Sequence, residues 1–456
     1  MPAESHFSFA FFAFSPKNGR VVLRYRLDDL EFHEQLYLPM EGVDKTKVDW
    51  DAFDHALFGL HLAGGVSYWK ARCPKRITVE TGTLTKDQAV FWNDFYTKGL
   101  GEFFYKNEID FRGLVEFKYD REKSRIENGE SRLKNPELRI QNQAALRPLV
   151  PVGGGKDSVV TVELLKAANI PVTAFVTKRA APIDATVRAM DVPSLVVERE
   201  LDPQLFELNK DPHTYNGHAP ITGYLHFVAL LTAILHGHTD VVWSLEESAS
   251  EGNLEYLGEI INHQYTKSLE FERAFAAYVK TNITRSVHSF SLLRPFSELR
   301  IVEEFAKHPK YFNAFSSCNH NFTIAKTVAH HKVFWCGECE KCAFVFVALG
   351  ASLPHKNVVE IFGSDLFASA ALLPTLKQLM GVEGHKPFEC VGTVGETIAA
   401  MELSHRRGDC ETSLWMQWFV NEARPKQRDL DKLIKRVLAP SNDHDIPQEY
   451  ARVLPQ

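Results

Sequence analysis

Apolar positions alternate with polar ones, or run together, along His6–Ser15 and Arg20–Leu27, which is the pattern of two partly buried strands. Lys17-Asn18-Gly19 between them predicts a hairpin, because Asn-Gly suits a turn with positive φ. Helical spacing follows over Trp50–Tyr68 and Lys86–Tyr105, with Arg76–Glu80 as a strand between the two. Phe91, Trp92, Phe95 and Tyr96 recur at helical spacing and are expected to form a core face. Residues 1–120 therefore predict an α+β domain, within which no catalytic spacing stands out. Residues 121–147 are polar and charged and are expected to be a linker.

From 148 to 353 the pattern changes to short apolar runs separated by helices. Strands are predicted at Leu149–Val152, Val172–Val176, Ser194–Val197 and Val241–Leu245, and helices at Asp157–Ala168, Ile183–Ala189, Ile221–Leu235 and Ser268–Lys280. Such alternation predicts an α/β fold with a central parallel sheet whose ligands sit at the carboxyl ends of the strands. Thr177-Lys178-Arg179 follows the second strand and would then face the same crevice or solvent. Residues 354–456 predict a helical region: Ser364–Leu379, Val394–Ser404, Glu411–Val420 and Leu430–Leu438, with Pro374 breaking or kinking the first.

Composition narrows the class. A chain of 456 residues with 45% hydrophobic and 24% charged content is that of a soluble protein of two or three domains. Its 52 Lys and Arg against 58 Asp and Glu argue against a nucleic-acid partner, which asks for a basic face. Ile221–Leu235 is too short to span a bilayer, and the N-terminus lacks the basic region of a signal peptide, so a cytoplasmic location without membrane attachment is expected. Seven cysteines in such a chain are not expected to be a disulfide framework; Cys73, Cys390 and Cys410 stand singly and are expected to be unpaired thiols.

Two motifs carry chemistry. Gly153-Gly154-Gly155-Lys156-Asp157-Ser158 joins a predicted strand to a predicted helix, where backbone N–H groups and a helix N-terminus make a phosphate site. Asp157 between Lys156 and Ser158 rules out a Walker loop. The stretch resembles instead the Ser-Gly-Gly-x-Asp-Ser loop of the ATP pyrophosphatase (PP-loop) superfamily, with Gly153 in the place of Ser. That resemblance implies ATP cleaved between its α and β phosphates. Asp157 beside a triphosphate further asks for a divalent cation, here Mg²⁺. The second motif is Cys336-x₂-Cys339-x₂-Cys342 with Cys318 upstream, four thiols suited to a closed structural zinc site. It resembles the zinc knuckle of the 7-cyano-7-deazaguanine synthases; an iron–sulfur cluster, or His320, His330 or His331 replacing Cys318, are the alternatives.

Between these motifs lie two polar stretches, Tyr215–Gly223 and Glu246–Asn253, the latter continued by Asn262–Glu272. Taken together, GGGKDS, YNGHAPITGYLH, EESASEGN, NHQYTKSLEFE and the cysteines resemble the UDP-N-acetylmuramoyl-L-alanyl-L-glutamate epimerases. The resemblance implies inversion of the terminal L-glutamate of a UDP-muramoyl dipeptide, with ATP converted to AMP and pyrophosphate. It conveys no acid or base. Residue type and placement put His218, His263, Lys267, Glu246 and Glu247 forward for proton transfer. Tyr215, Asn216, Thr222, Asn253, Asn262, Gln264, Tyr265 and Ser268 are put forward for substrate, and the Gly153–Ser158 loop for ATP. The rival readings are a PP-loop ligase or amidating enzyme, a tRNA thiolase, and an adenine-nucleotide-binding sensor without turnover.

Overall fold

The computed structural model describes residues 5–122, 145–177, 180–321 and 334–455. Strands β1 (His6–Ser15), β2 (Arg20–Leu27) and β3 (Leu30–Tyr37) form an antiparallel meander, and β4 (Arg76–Val79) pairs in parallel with β1. The β1–β2 hairpin is present, but its loop has four residues and only Gly19 among them takes positive φ. The helix Trp50–Trp69 covers this sheet. The predicted helix Lys86–Tyr105 is two, Lys86–Gly99 and Gly101–Lys106, interrupted at Leu100 between glycines, the residues with the largest helix penalty after proline.

The second sheet is parallel. Strands β5 (Pro148–Pro151), β6 (Thr173–Val176), β7 (Ser194–Val196), β9 (Asp240–Trp243) and β12 (His288–Ser291) lie in the order β12-β9-β5-β6-β7. The winding reverses between β5 and β9, and a ligand crevice opens beyond the carboxyl ends of strands at such a point. The Gly153–Ser158 loop follows β5 and Glu246 follows β9, so both lie there. The strand β12 carried no alternating signal in the sequence because all but its first residue is buried, as befits a strand in a covered sheet. Lys178 and Arg179 lie outside the described residues, as do 123–144 of the predicted linker.

Strand β8 (Glu198–Glu200) leaves the parallel sheet and pairs antiparallel with β3, completing the first sheet. Its Arg199 donates two hydrogen bonds to the fully buried Glu34 carboxylate, at 2.9 and 3.0 Å, and Tyr68 and Tyr224 donate to the same group. The helix Ile221–His236 packs on Trp50–Trp69. One hydrophobic core consequently runs through residues from both sides of the polar stretch, from Phe7 to Phe117 and from Leu149 to Val287. A short hairpin, β10 (Leu254–Tyr256) and β11 (Glu259–Ile261), projects from the polar stretch after Glu246.

The C-terminal region is helical, and its second core includes the helices Glu340–Ser352 and Val394–Arg407. Pro374 does not break a long helix: it lies in the first turn of Leu373–Leu379, where its missing N–H costs nothing, and a single 3₁₀ turn, Leu366–Ala368, precedes it. No helix among the described residues is long and apolar enough to cross a membrane.

Candidate functional site

The glycine loop begins the site. Gly154 has φ +82°, and a side chain there would meet the backbone of Ile183 at 3.1 Å; nothing stands within 4 Å of a side chain at Gly153. The Gly154 carbonyl accepts from Ser316 N–H (2.9 Å) and Thr186 Oγ1 (3.3 Å), which ties the loop to the segment leading to Cys318. Gly155 caps the helix Lys156–Ala167 without a side-chain hydrogen bond, and the Ser158 hydroxyl donates to the Gly155 carbonyl (3.1 Å). Lys156 is turned inward. Its ammonium, 1% exposed, pairs with Asp157 and with the buried Glu298, and both anions hold its pKa up against burial. Phosphate at this loop would therefore meet backbone N–H groups and the helix N-terminus, with Lys156 already neutralised from behind.

Glu298 continues the line of charge. Burial would raise its carboxyl, but Lys156 and Lys341 hold it down; Lys341 Nζ lies 3.7 Å from it and also donates to the Cys390 carbonyl. Glu246, buried at the end of β9, is pushed up to about 7, first by burial and then by Glu298 and Asp157. Arg294, 1% exposed, clamps the backbone on either side: it donates to the carbonyls of Glu246 (2.6 Å) and Lys267 (2.8 Å) and to the Glu272 carboxylate (2.7 and 3.1 Å).

Lys267 and Cys390 meet next, with Nζ 3.0 Å from Sγ. His263 Nε2 is 3.9 Å from the same sulfur, while its Nδ1 pairs with Glu102. His218 Nδ1 lies 3.4 Å from Glu102 and its ring centre is 4.7 Å from that of His263. Burial would lower His263, but Cys390 and Glu102 raise it to about 9; burial and the neighbouring His263 charge lower His218 to about 3. Burial would raise Glu102, but His263, Lys106 and His218 hold it at about 2. Burial would likewise raise Cys390, and Lys267, His263 and Lys341 bring it to about 6.

Of the residues put forward for proton transfer, His218, His263, Lys267 and Glu246 thus share one connected cluster. Glu247 does not join it. It faces a separate cleft of about 1140 Å³ that also includes Asn262, Tyr265, Ser268 and Arg294 in its lining. Several polar residues put forward for substrate are engaged within the chain. Asn253 accepts from His263 N–H and donates to the Pro387 carbonyl, Asn262 donates to the Ala249 carbonyl, and Ser268 caps the helix Leu269–Asn282. Asn216 accepts from its neighbour Gly217, and the exposed Tyr215 meets Phe103 edge-on. Thr222 is half-buried in the first turn of Ile221–His236, and Gln264 is buried with its Oε1 unpartnered among the described residues.

Five members of the cluster were not put forward from the sequence: Glu102, Cys390, Glu298, Lys341 and Arg294. Glu102 was embedded in an aromatic stretch, and its signal was an acid between residues that a core would claim. Cys390 lies in a stretch without regular structure, where its spacing to Lys267 carries no pattern.

All four predicted metal-ligating cysteines converge, their sulfurs within 4.8 Å of one another, with Cys336–Cys342 at 3.6 Å and Cys339–Cys342 at 3.5 Å. A tetrahedral zinc tetrathiolate has sulfurs about 3.8 Å apart, so this donor set fits that ion. His320 is not among the converging ligands; His330 and His331 lie outside the described residues.

A glycine loop at the reversal of a parallel sheet, joined by ionic contacts to imidazoles and a thiol, marks this as a mixed α/β protein with a buried polar cluster beside the loop. Residues 1–292 match the family described as the MurL N-terminal domain and residues 314–433 the one described as the MurL C-terminal domain; the chain belongs to the MurL family. A protein of Xanthomonas oryzae pv. oryzae, named UDP-N-acetyl-alpha-D-muramoyl-L-alanyl-L-glutamate epimerase, is 34% identical over 97% of this chain and 95% of its own. A protein of the same name from a Micromonospora species is 33% identical over 99% and 98%.

Proposed function

We propose that this chain inverts the terminal glutamate of UDP-N-acetylmuramoyl-L-alanyl-L-glutamate, a peptidoglycan precursor, and that it activates the glutamate α-carboxylate with ATP. The near full-length identity to relatives bearing that name supports the substrate. The observation that carries the mechanism is the unbroken line of contacts from Asp157 through Lys156, Glu298 and Lys341 to Cys390, Lys267, His263 and Glu102. That line supports reading the loop as the phosphate site and the cluster as the place of proton transfer.

The chemistry needs that adjacency. An α-proton beside a carboxylate is hard to remove, because the carbanion would form next to a negative charge. Bound ATP would supply an adenylyl group, with loss of pyrophosphate, that neutralises the carboxylate as a mixed anhydride whose carbonyl accepts electron density; water would afterwards cleave that anhydride to AMP and the carboxylate. In this reading the PP-loop residues Gly153, Gly154, Gly155 and Ser158 face the phosphates and Asp157 helps to hold Mg²⁺. Lys156 braces Asp157 and Glu298. The set His218, His263, Lys267 and Glu246 surrounds the α-carbon, and Tyr215, Asn216, Thr222, Asn253, Asn262, Gln264, Tyr265 and Ser268 shape the surrounding loops. Zinc on Cys318, Cys336, Cys339 and Cys342 would be structural.

Incubation with ATP and the UDP-muramoyl dipeptide, followed by measurement of AMP and of glutamate chirality, tests the proposal. AMP together with D-glutamate is expected. AMP with unchanged chirality would point to a ligase or amidating enzyme, and absence of AMP with D-glutamate would remove the adenylation step.

A further inference from the structure

Epimerisation requires a group that accepts the α-proton, and the cluster holds several titratable groups in different states. Lys267 is a cation, raised by Cys390 and Glu246 against burial. His263, tied to Glu102, is an imidazolium at neutral pH, with no lone pair to offer. His218 is neutral, but a group of pKa about 3 is a feeble base. Glu246 is 6% exposed, among the charges of Glu298, Asp157 and Lys267.

Cys390 differs from each of these. Its sulfur sits between Lys267 Nζ and His263 Nε2, and Lys341 holds its carbonyl. It remains partly exposed, whereas Cys73 and Cys410 are buried thiols pushed up to about 12. Its loop is held at two points, by Asn253 to the Pro387 carbonyl and by Asn319 to Glu389. A thiolate held between two cations is a proton acceptor.

We propose that the Cys390 thiolate is the base that removes the α-proton of the L-glutamyl centre, with Lys267 and His263 as its positioning residues. The inference rests on the epimerase reading given above. The Cα–H bond breaks and an S–H bond forms, while the electron pair of the broken bond passes into the adjacent activated carbonyl. A proton from a second acid on the opposite face then bonds to Cα, and the thiol returns its proton to solvent.

The test compares wild type with Cys390→Ser and Cys390→Ala in D₂O, following AMP, glutamate chirality and α-deuterium. Both variants are expected to release AMP within about threefold of wild type while inversion and α-deuterium uptake fall at least about a hundredfold, the range of lost general-base catalysis. Unchanged inversion would overturn the proposal. Deuterium uptake with retained L configuration would overturn it too, by placing Cys390 on the reprotonating face. If wild type itself yields no D-glutamate, the epimerase reading fails instead.

Site-resolved alkylation by iodoacetamide provides a readout independent of the variants' folding. Cys390 is expected to react at pH 6.5 at least about tenfold faster than an ordinary thiol, to be protected by the dipeptide with ATP, and to lose the advantage in Lys267→Met. Ordinary reactivity in wild type, or no protection, would overturn the assignment.

Discussion

His218 and His263 face the same Glu102 carboxylate with their rings tilted to each other, yet burial and the neighbouring His263 charge hold His218 low, while Cys390 and Glu102 hold His263 up against burial. The pair has a defined pH window. Glu102, lowered from 4.5 to about 2, contributes stability that is present above pH 4.5 and lost as pH falls toward 2. His263, raised from 6.5 to about 9, contributes stability that is full below pH 6.5 and lost as pH rises through 9. The Glu102–His263 contribution, read as the difference in denaturation against pH between wild type and His263→Gln, should therefore be full between about 4.5 and 6.5. His263→Gln should flatten the alkaline fall and cost about 3–5 kcal/mol at pH 6, since it leaves a buried carboxylate short of its partner. At the glycine loop, urea denaturation should find Gly153→Ser neutral within about 0.5 kcal/mol, because its position is open. Gly154→Ala should cost about 1–3 kcal/mol, since positive φ and the Ile183 backbone both oppose a side chain. The loop and the two histidines were legible as local patterns of residue type. Glu102 and Cys390 were not, because they stand 161 and 127 residues from His263 and only the tertiary fold brings them to it.

At the level of elements, the four-cysteine cluster and the polar cluster around Cys390 are mechanically one object. Lys341 sits between Cys339 and Cys342, starts the buried helix Glu340–Ser352, and holds both Glu298 and the Cys390 loop. Metal analysis should find one zinc per chain, and Cys342→Ser should lose it. The same variant should expose the 385–391 loop to limited proteolysis and lower the melting temperature by several degrees, the effect of a few kcal/mol in a chain of this size. The cluster was readable from x₂ spacings, as were most helices and the four predicted strands of the parallel sheet, from periodicity. Strands β3 and β8 were missed: β3 carries charged residues along its length, and β8 is three residues whose pairing partner lies far back in the chain. The long helix expected after Trp50–Trp69 divided because two glycines flank Leu100.

Over the whole molecule, the polar stretch after residue 120 divides the sequence but not the packing. The core that begins at Phe7 continues to Val287, close to the end of the MurL N-terminal match at 292. A fragment of residues 5–122 should therefore fail to fold, with no near-ultraviolet circular dichroism, because Glu34 would lose Arg199 and Tyr224 and the helix Trp50–Trp69 would lose its cover. Addition of residues 145–292 in trans should restore ordered aromatic signals. During synthesis on the ribosome, the outer edge of β3 must wait for β8, while residues 38–197 are made. At bacterial or eukaryotic elongation speeds that interval is roughly 8–30 seconds, during which an unpaired strand edge and an uncompensated acid are presented to the cell. Growth conditions that slow translation in this stretch should thus make the newborn chain a client of the chaperones that shield sheet edges, before the arginine that answers Glu34 has been made.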